Sequence, residues 1–154
     1  MDVDTLIDPG AILPDLRANS KKQVLQELAA KAAELTGLAE REIFETVLAR
    51  EKLGSTGVGN GIAIPHGKLA DLGGIVGVFA RLTRPAEFDS RDDQPVDIVF
   101  LLLAPQGSGA DHLKALSKVA RLLRNRKIVE EIRETRDAHA IYALMTNAMA
   151  QNAA

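Results

Sequence analysis

The chain has 154 residues, 46% of them hydrophobic and 26% charged, which suits one domain with enough length for a packed core. With 19 basic against 21 acidic residues and aromatics at only 3%, composition argues against a nucleic-acid groove, an anionic membrane surface or a base-stacking platform. The absence of cysteine excludes disulfides, thiolate nucleophiles and sulfur-ligated metals and fits a cytoplasmic protein; the acidic start is no secretory signal, and the longest apolar run, 98–104, is too short to cross a bilayer.

Apolar pieces at 5–7 and 11–13 flank Asp8-Pro9-Gly10, a turn signal, and predict one strand near a sheet edge. Ser20 with Gln23 forms a capping-box pattern opening a helix whose apolar positions are Val24, Leu25, Leu28, Ala32 and Leu35, closed by Gly37. A second helix is predicted over 40–52, burying Ile43, Phe44, Val47 and Leu48, with Gly54 just beyond it. A partly alternating strand at 75–82 and a nearly all-apolar one at 96–104 follow, separated by a surface loop with four acidic residues. The remainder predicts helices over 109–124 and 128–133 and a last one capped by Asp137 that ends near Met145. Helices bracket the strands on both flanks, which favours an α/β, single-domain, three-layer helix/sheet/helix sandwich. The domain is expected to span 1–148, with a frayed tail at 149–154.

The densest punctuation lies between Gly54 and Gly74, which holds seven of the 12 glycines. Within it, Ile62-Ala63-Ile64 is a short strand that Pro65 is expected to stop, presenting His66 at the strand's end beside Gly67. Gly57-Val-Gly-Asn-Gly61 resembles a nucleotide loop only superficially. The third glycine comes one residue early for G-x-G-x-x-G, and Gly61 to Gly67 encloses five residues where the phosphate loop of NTPases has four. Ser55, Thr56 and the glycine N–H groups still offer a nest of phosphate size. These flanks leave His66 open as nucleophile, general base, metal ligand or exposed residue. No His pairs with another ligand at zinc-type spacing, so no metal is expected.

His112 shares a helical stripe with Leu116, Val119 and Leu123, so its ring should point inward in the first turn of its helix, with Ser108 and Asp111 as a cap-like pair. If the central strand before this helix and the strand that ends at His66 are neighbours and their ends align, the rings of His66 and His112 converge; a core-edge histidine satisfied by backbone is the alternative. Arg50, in the last turn of the second helix, is either a dipole-complementing cation worth ~0.3–1 kcal/mol or a phosphate clamp. His139, among Ala138, Ala140 and Ile141, is read as structural or solvated.

The run from Leu48-Ala-Arg50 through Gly-Ser55-Thr56-Gly-Val-Gly-Asn-Gly to Ile-Ala-Ile-Pro-His66-Gly-Lys68 closely resembles the active-site signature of the type-2 enzyme IIA domains of the bacterial phosphoenolpyruvate-dependent phosphotransferase system. Phe88-Asp89, Asp92, Gln94-Pro-Val-Asp97, Leu103-Ala-Pro105 and His112-Leu113 follow in the same order, so the resemblance covers nearly the whole chain. Lys68, the Phe-Asp to Pro-Val-Asp segment and the free-standing length look more like the nitrogen-regulatory branch than the fructose or mannitol branches. The resemblance implies a mixed parallel/antiparallel sheet between helical layers. It also implies His66 as phosphoacceptor at Nε2, Arg50 and His112 flanking the phosphoryl group, Ser55 and Thr56 binding phosphate, and Lys68 as a partner contact. The donor would be an HPr-like phosphocarrier protein, with no cofactor, and targets such as potassium transporters or sensor kinases. A sugar-specific relay component and a non-covalent anion-binding module are the alternatives.

Overall fold

The computed structural model describes residues 6–152. Its helices are α1 (Lys21–Thr36), α2 (Glu40–Leu53), α3 (Gly109–Leu123), α4 (Arg126–Arg133) and α5 (Ala138–Asn152). Its strands are β1 (Ile12–Leu16), β2 (Gly57–Gly59), β3 (Ile62–Ala63), β4 (His66–Leu69), β5 (Val76–Ala86) and β6 (Val96–Pro105). All six strands join one sheet in the order β1-β5-β6-β3-β2, with β4 paired to β6 farther along the same edge as β3. The sheet is mixed. β1 runs parallel to β5, and β3 and β4 run parallel to β6, whereas β5 with β6 and β2 with β3 are antiparallel.

Side-chain alternation along β6 feeds two cores. Ile98, Phe100 and Leu102 face α3, α4 and α5, while Val99, Leu101 and Leu103 face α1 and α2. This is the three-layer arrangement that the flanking helices imply. On the first face Phe79 meets Phe100 edge-on, with ring centroids 6.3 Å apart, a geometry worth ~0.5–1.5 kcal/mol beyond area burial. Gly77 sits mid-strand because nothing larger fits. A Cβ there would lie 2.3 Å from the Leu6 carbonyl oxygen and 2.7 Å from the Phe100 ring.

Caps set the helix boundaries. Ser20 accepts from the Gln23 N–H at 3.1 Å, and the Gln23 side chain reaches back to the Asn19 N–H at 2.8 Å, one residue earlier than the usual box. Gly37 closes α1 in the left-handed region at φ 77°. Asn125 is the cap that starts α4, accepting from the Ile128 N–H. Asp137 caps α5 through the His139 N–H at 2.9 Å.

Four expectations are corrected. The first strand begins only at Ile12, after a single 3-10 turn at Pro9–Ala11, while Leu6 and Ile7 are buried outside any strand and Thr5 lies outside the described residues. The alternating strand extends from 82 to Ala86, because its polar end is held sideways, Thr83 Oγ1 donating to Asp15 Oδ1 at 2.6 Å. The last helix does not end near Met145. Ala148 and Met149 continue the Ile141 and Met145 stripe at helical spacing and are buried, so the helix runs to Asn152; residues 153–154 lie outside the described residues.

Pro65, finally, does not end the strand. It lacks a donor, but its carbonyl accepts from the Leu102 N–H at 2.9 Å, so the chain stays on β6 and His66 opens β4 opposite Leu102. Ile62, Ile64, His66 and Lys68 therefore share the face of the α3–α5 layer, and Ala63, Gly67 and Leu69 the face of α1 and α2.

Gly77→Ala tests how tightly the first core is built. It is expected to destabilise the fold by ~1–3 kcal/mol, the ordinary cost of overpacking, read as a lower urea midpoint; an unchanged midpoint would show that Leu6 and Phe100 give way freely.

Candidate functional site

The geometry of the sheet places His66 where α3 begins. β6 ends at Pro105, the chain turns through 106–108, and His112 lies in the first turn of α3 with its side of the helix facing the sheet. The two imidazoles meet with ring centroids 5.8 Å apart and planes tilted by 55°. His66 is half-buried and His112 is buried at 5% exposure. The convergence expected if the two strands are neighbours is thus present.

The nitrogens of His66 are not equivalent. Nδ1 lies 2.9 Å from the Ile64 carbonyl oxygen. A carbonyl carries no proton, so the shared proton belongs to Nδ1, and the neutral ring keeps its lone pair on Nε2. His112 is held differently. Its Nδ1 is buried without a hydrogen-bond partner among the described residues. Burial first, then the charges of His66 and Lys68, pushes its pKa below the ordinary value near 6.5, so this ring is neutral at pH 7.

Arg50 belongs to the opposite layer, on α2. α2 packs on β4 at Gly67, where an added Cβ would lie 3.0 Å from Thr46 Cγ2, and Arg50 is one helical turn beyond Thr46. Its Nη1 donates to the Gly54 carbonyl at 2.9 Å, and no hydrogen bond or ion pair joins it to either histidine. Lys68 is exposed, two residues along β4 on the same face as His66. His139 is exposed on α5.

Two expected phosphate ligands are placed otherwise. The Ser55 hydroxyl donates to the Phe88 carbonyl and accepts from the Gly57 N–H at 3.1 Å. The Thr56 hydroxyl donates to the buried Glu51 carboxylate, and its N–H bonds the same group at 3.1 Å. Phosphate oxygens need donors, and both hydroxyl protons are committed elsewhere, to the Phe88 carbonyl and the Glu51 carboxylate. Ser55 and Thr56 therefore shape the 54–56 loop and offer no hydroxyl proton to the site. Ser108 does not cap α3 through its side chain either; its hydroxyl donates back to the Pro105 carbonyl at 2.6 Å, and only the backbone links it to Asp111.

Two groups escaped the sequence reading. The Ile64 carbonyl, which sets the His66 tautomer, carries no side-chain signal. Glu51 does carry one, since an acid in the last turn of a helix opposes the dipole and asks for a reason. Leu53 at 85% exposure and Leu113 at 66% stand out as large apolar side chains in solvent, the latter directly after His112. Among the described residues no three or more His, Asp or Glu are grouped to hold a metal ion, and no helix is long and apolar enough to cross a membrane.

Residues 5–148 match the family model described as "Phosphoenolpyruvate-dependent sugar phosphotransferase system, EIIA 2". The chain belongs to this family and is a phosphotransferase domain of it. It is 63% identical over 145 residues to a protein named nitrogen regulatory protein from Bradyrhizobium diazoefficiens, covering 94% of this chain and 95% of that one. The crystal structure of the nitrogen regulatory protein IIA-Ntr from Neisseria meningitidis superposes with a TM-score of 0.87 at 35% identity, covering 92% of this chain and 97% of that one. A more distant relative, the fructose-specific EIIABC component of Bacillus subtilis, is 32% identical over 142 residues, which is 92% of this chain but 22% of that protein.

The lowered pKa of His112 makes stability depend on pH with a definite sign. Between its folded pKa and the unfolded value near 6.5, the unfolded chain binds more protons, so stability falls as pH drops through that window and the loss is complete below the folded pKa. Thermal midpoints taken from about pH 8 to about pH 5.5 should decline accordingly. His112→Gln should lack this part of the slope, and equal slopes in the two proteins would contradict the assignment.

Proposed function

We propose that this chain accepts a phosphoryl group on His66 Nε2 from the phosphohistidine of an HPr-like carrier and acts in the cytoplasm as a regulator through that state. The observation that carries the reading is the His66 Nδ1 to Ile64 carbonyl contact at 2.9 Å, which leaves Nε2 as the nucleophile. In the transfer, the Nε2 lone pair forms the new bond to phosphorus as the carrier's N–P bond breaks, and the departing imidazole keeps that electron pair. The His66 ring gains positive character as the bond forms, and the Ile64 carbonyl stabilises the Nδ1 proton. Because the donor is already a phosphohistidine, the step needs neither ATP nor a metal, and its demands are position and charge.

His112 fits as the second party. Neutral and buried, it can present an N–H to a phosphoryl oxygen without competing for phosphorus, and phosphate on its neighbour would supply the acceptor that its Nδ1 lacks. Arg50, which uses one N–H on Gly54, has the rest of its fork available to swing toward the oxygens. Lys68 and the exposed Leu113 would meet the partner, and about two negative charges added to His66 would change what that surface binds.

The regulatory reading draws on the relatives named nitrogen regulatory proteins, the Bradyrhizobium one matching over 94% of this chain and 95% of its own length, whereas in the fructose-specific relative the matching segment is 22% of a larger protein. Targets of the potassium-transporter or sensor-kinase type belong to this reading. A sugar relay would reveal itself by sugar-dependent dephosphorylation through a cognate membrane component.

Incubation with phosphoenolpyruvate, the general phosphotransferase enzyme and carrier should give an acid-labile phosphate that is absent in His66→Ala; no label on the wild type would sink the proposal. His112→Ala should keep the fold and slow transfer on the order of 100-fold, as loss of one charge-stabilising donor does elsewhere, measured by single-turnover quench.

A further inference from the structure

Glu51 is a buried acid at 5% exposure in the last turn of α2, where the helix dipole disfavours it and desolvation costs more. Three donors converge on it. Lys21 Nζ lies 3.1 Å from Oε2, the Thr56 N–H reaches the same oxygen at 3.1 Å, and the Thr56 hydroxyl donates to Oε1. Lys21 is held in turn, 3.3 Å from Asp89 and 5.6 Å from the centre of the Phe88 ring. From Thr56 the connection continues toward the chemistry. The Thr56 carbonyl accepts from the Ile64 N–H at 3.0 Å, and the Ile64 carbonyl takes the His66 Nδ1–H at 2.9 Å.

We propose that Glu51 is a positioning residue for His66. Tied to Lys21, it fixes Thr56, and through the Thr56–Ile64 backbone bond it fixes the carbonyl that sets the tautomer and direction of the imidazole. Two residues flank this connection, yet neither replaces it. Arg50 grips the loop one residue before Ser55, at Gly54, and Ser55 ties it to Phe88. The Glu51–Thr56 link leads, through the Thr56 carbonyl and the Ile64 N–H, to the carbonyl that holds the ring. A purely structural ion pair would need Lys21 and Glu51 alone. The two further bonds from Thr56, both to the carboxylate, are what a loop held for its carbonyl requires.

The effect on transfer rests on His66 being the phosphoacceptor, but the ring geometry can be read without it. Two-bond 1H–15N spectra of the full, 15N-labelled chain distinguish the imidazole tautomers. Wild type is expected to show His66 with the proton on Nδ1. Glu51→Gln and Thr56→Val should show a mixture of tautomers, and Thr56→Ser, which keeps the hydroxyl, should restore the wild-type pattern. In transfer from the carrier, Glu51→Gln and Thr56→Val should lose about 10- to 100-fold in kcat, the scale of a misplaced reacting group, with KM for the carrier little changed.

Should Glu51→Gln fail to fold, the Thr56 pair decides alone. Wild-type tautomer and rate in Thr56→Val would overturn the proposal, as would a Glu51→Gln protein with a lower melting temperature but an unaltered His66 spectrum. A wild type that takes no phosphate yet shows the predicted tautomer changes would retire the transfer reading and leave the positioning role standing.

Discussion

One backbone hydrogen bond governs where the chemistry falls. The Leu102 N–H to the Pro65 carbonyl keeps the chain on β6 across a residue that cannot itself donate, so the two-residue alternation begun at Ile62 is not reset. Had the ladder broken there, His66 would be free to take either face. Because it holds, the ring joins Ile62 and Ile64 on the α3 side, and α3 starts within a few residues of the end of the same central strand. The meeting of His66 with His112 is thus a consequence of register. It depends on the sheet more than on any attraction between the rings.

The opposite end of the β3–β4 edge is fastened by a separate device. Asn60 and Gly61 both have positive φ, 58° and 80°, which closes the β2–β3 hairpin in the two-residue form that matches strand twist. Arg133 donates to the Asn60 carbonyl at 2.7 Å and grips Asp97 through Nε and Nη2. Burial disfavours the Arg133 cation, but the Asp97 and Glu130 carboxylates together outweigh it, and the pKa is raised. On the far side of the turn Asp92 accepts from the Asn60 N–H at 3.0 Å, the main reason its own pKa is lowered. The hairpin is therefore pinned from two sides.

Much of this fold is legible in residue order because local and tertiary preferences agree. Ser20, Gly37, Asn125 and Asp137 mark helix ends by caps that work within a few residues, and the stripe through His112 and Val119 names its buried face outright. β4 is illegible for the converse reason. His-Gly-Lys-Leu has no strand pattern of its own and is extended only because β6 lies beside it. Pro14 obscures β1 in the same way, tolerated there because the strand is at the sheet's edge. Asn60-Gly61 was a readable hairpin signal, masked by the interest of the surrounding glycines. The stripe and the motif bring out the pair His66 and His112, whereas the inward turn of the Ser55 and Thr56 hydroxyls depends on Phe88, far along the chain, and on a buried acid. Spacing alone cannot say which way a hydroxyl points.

β4 pairs with β6 on one side and with no other strand among the described residues. The bare rim of a sheet ordinarily invites another chain to dock as an additional strand and so to polymerise. Here that rim is four residues long and carries an outward lysine, Lys68, two features that discourage such growth. The border that presents His66 can therefore stay open with little tendency to recruit a further strand.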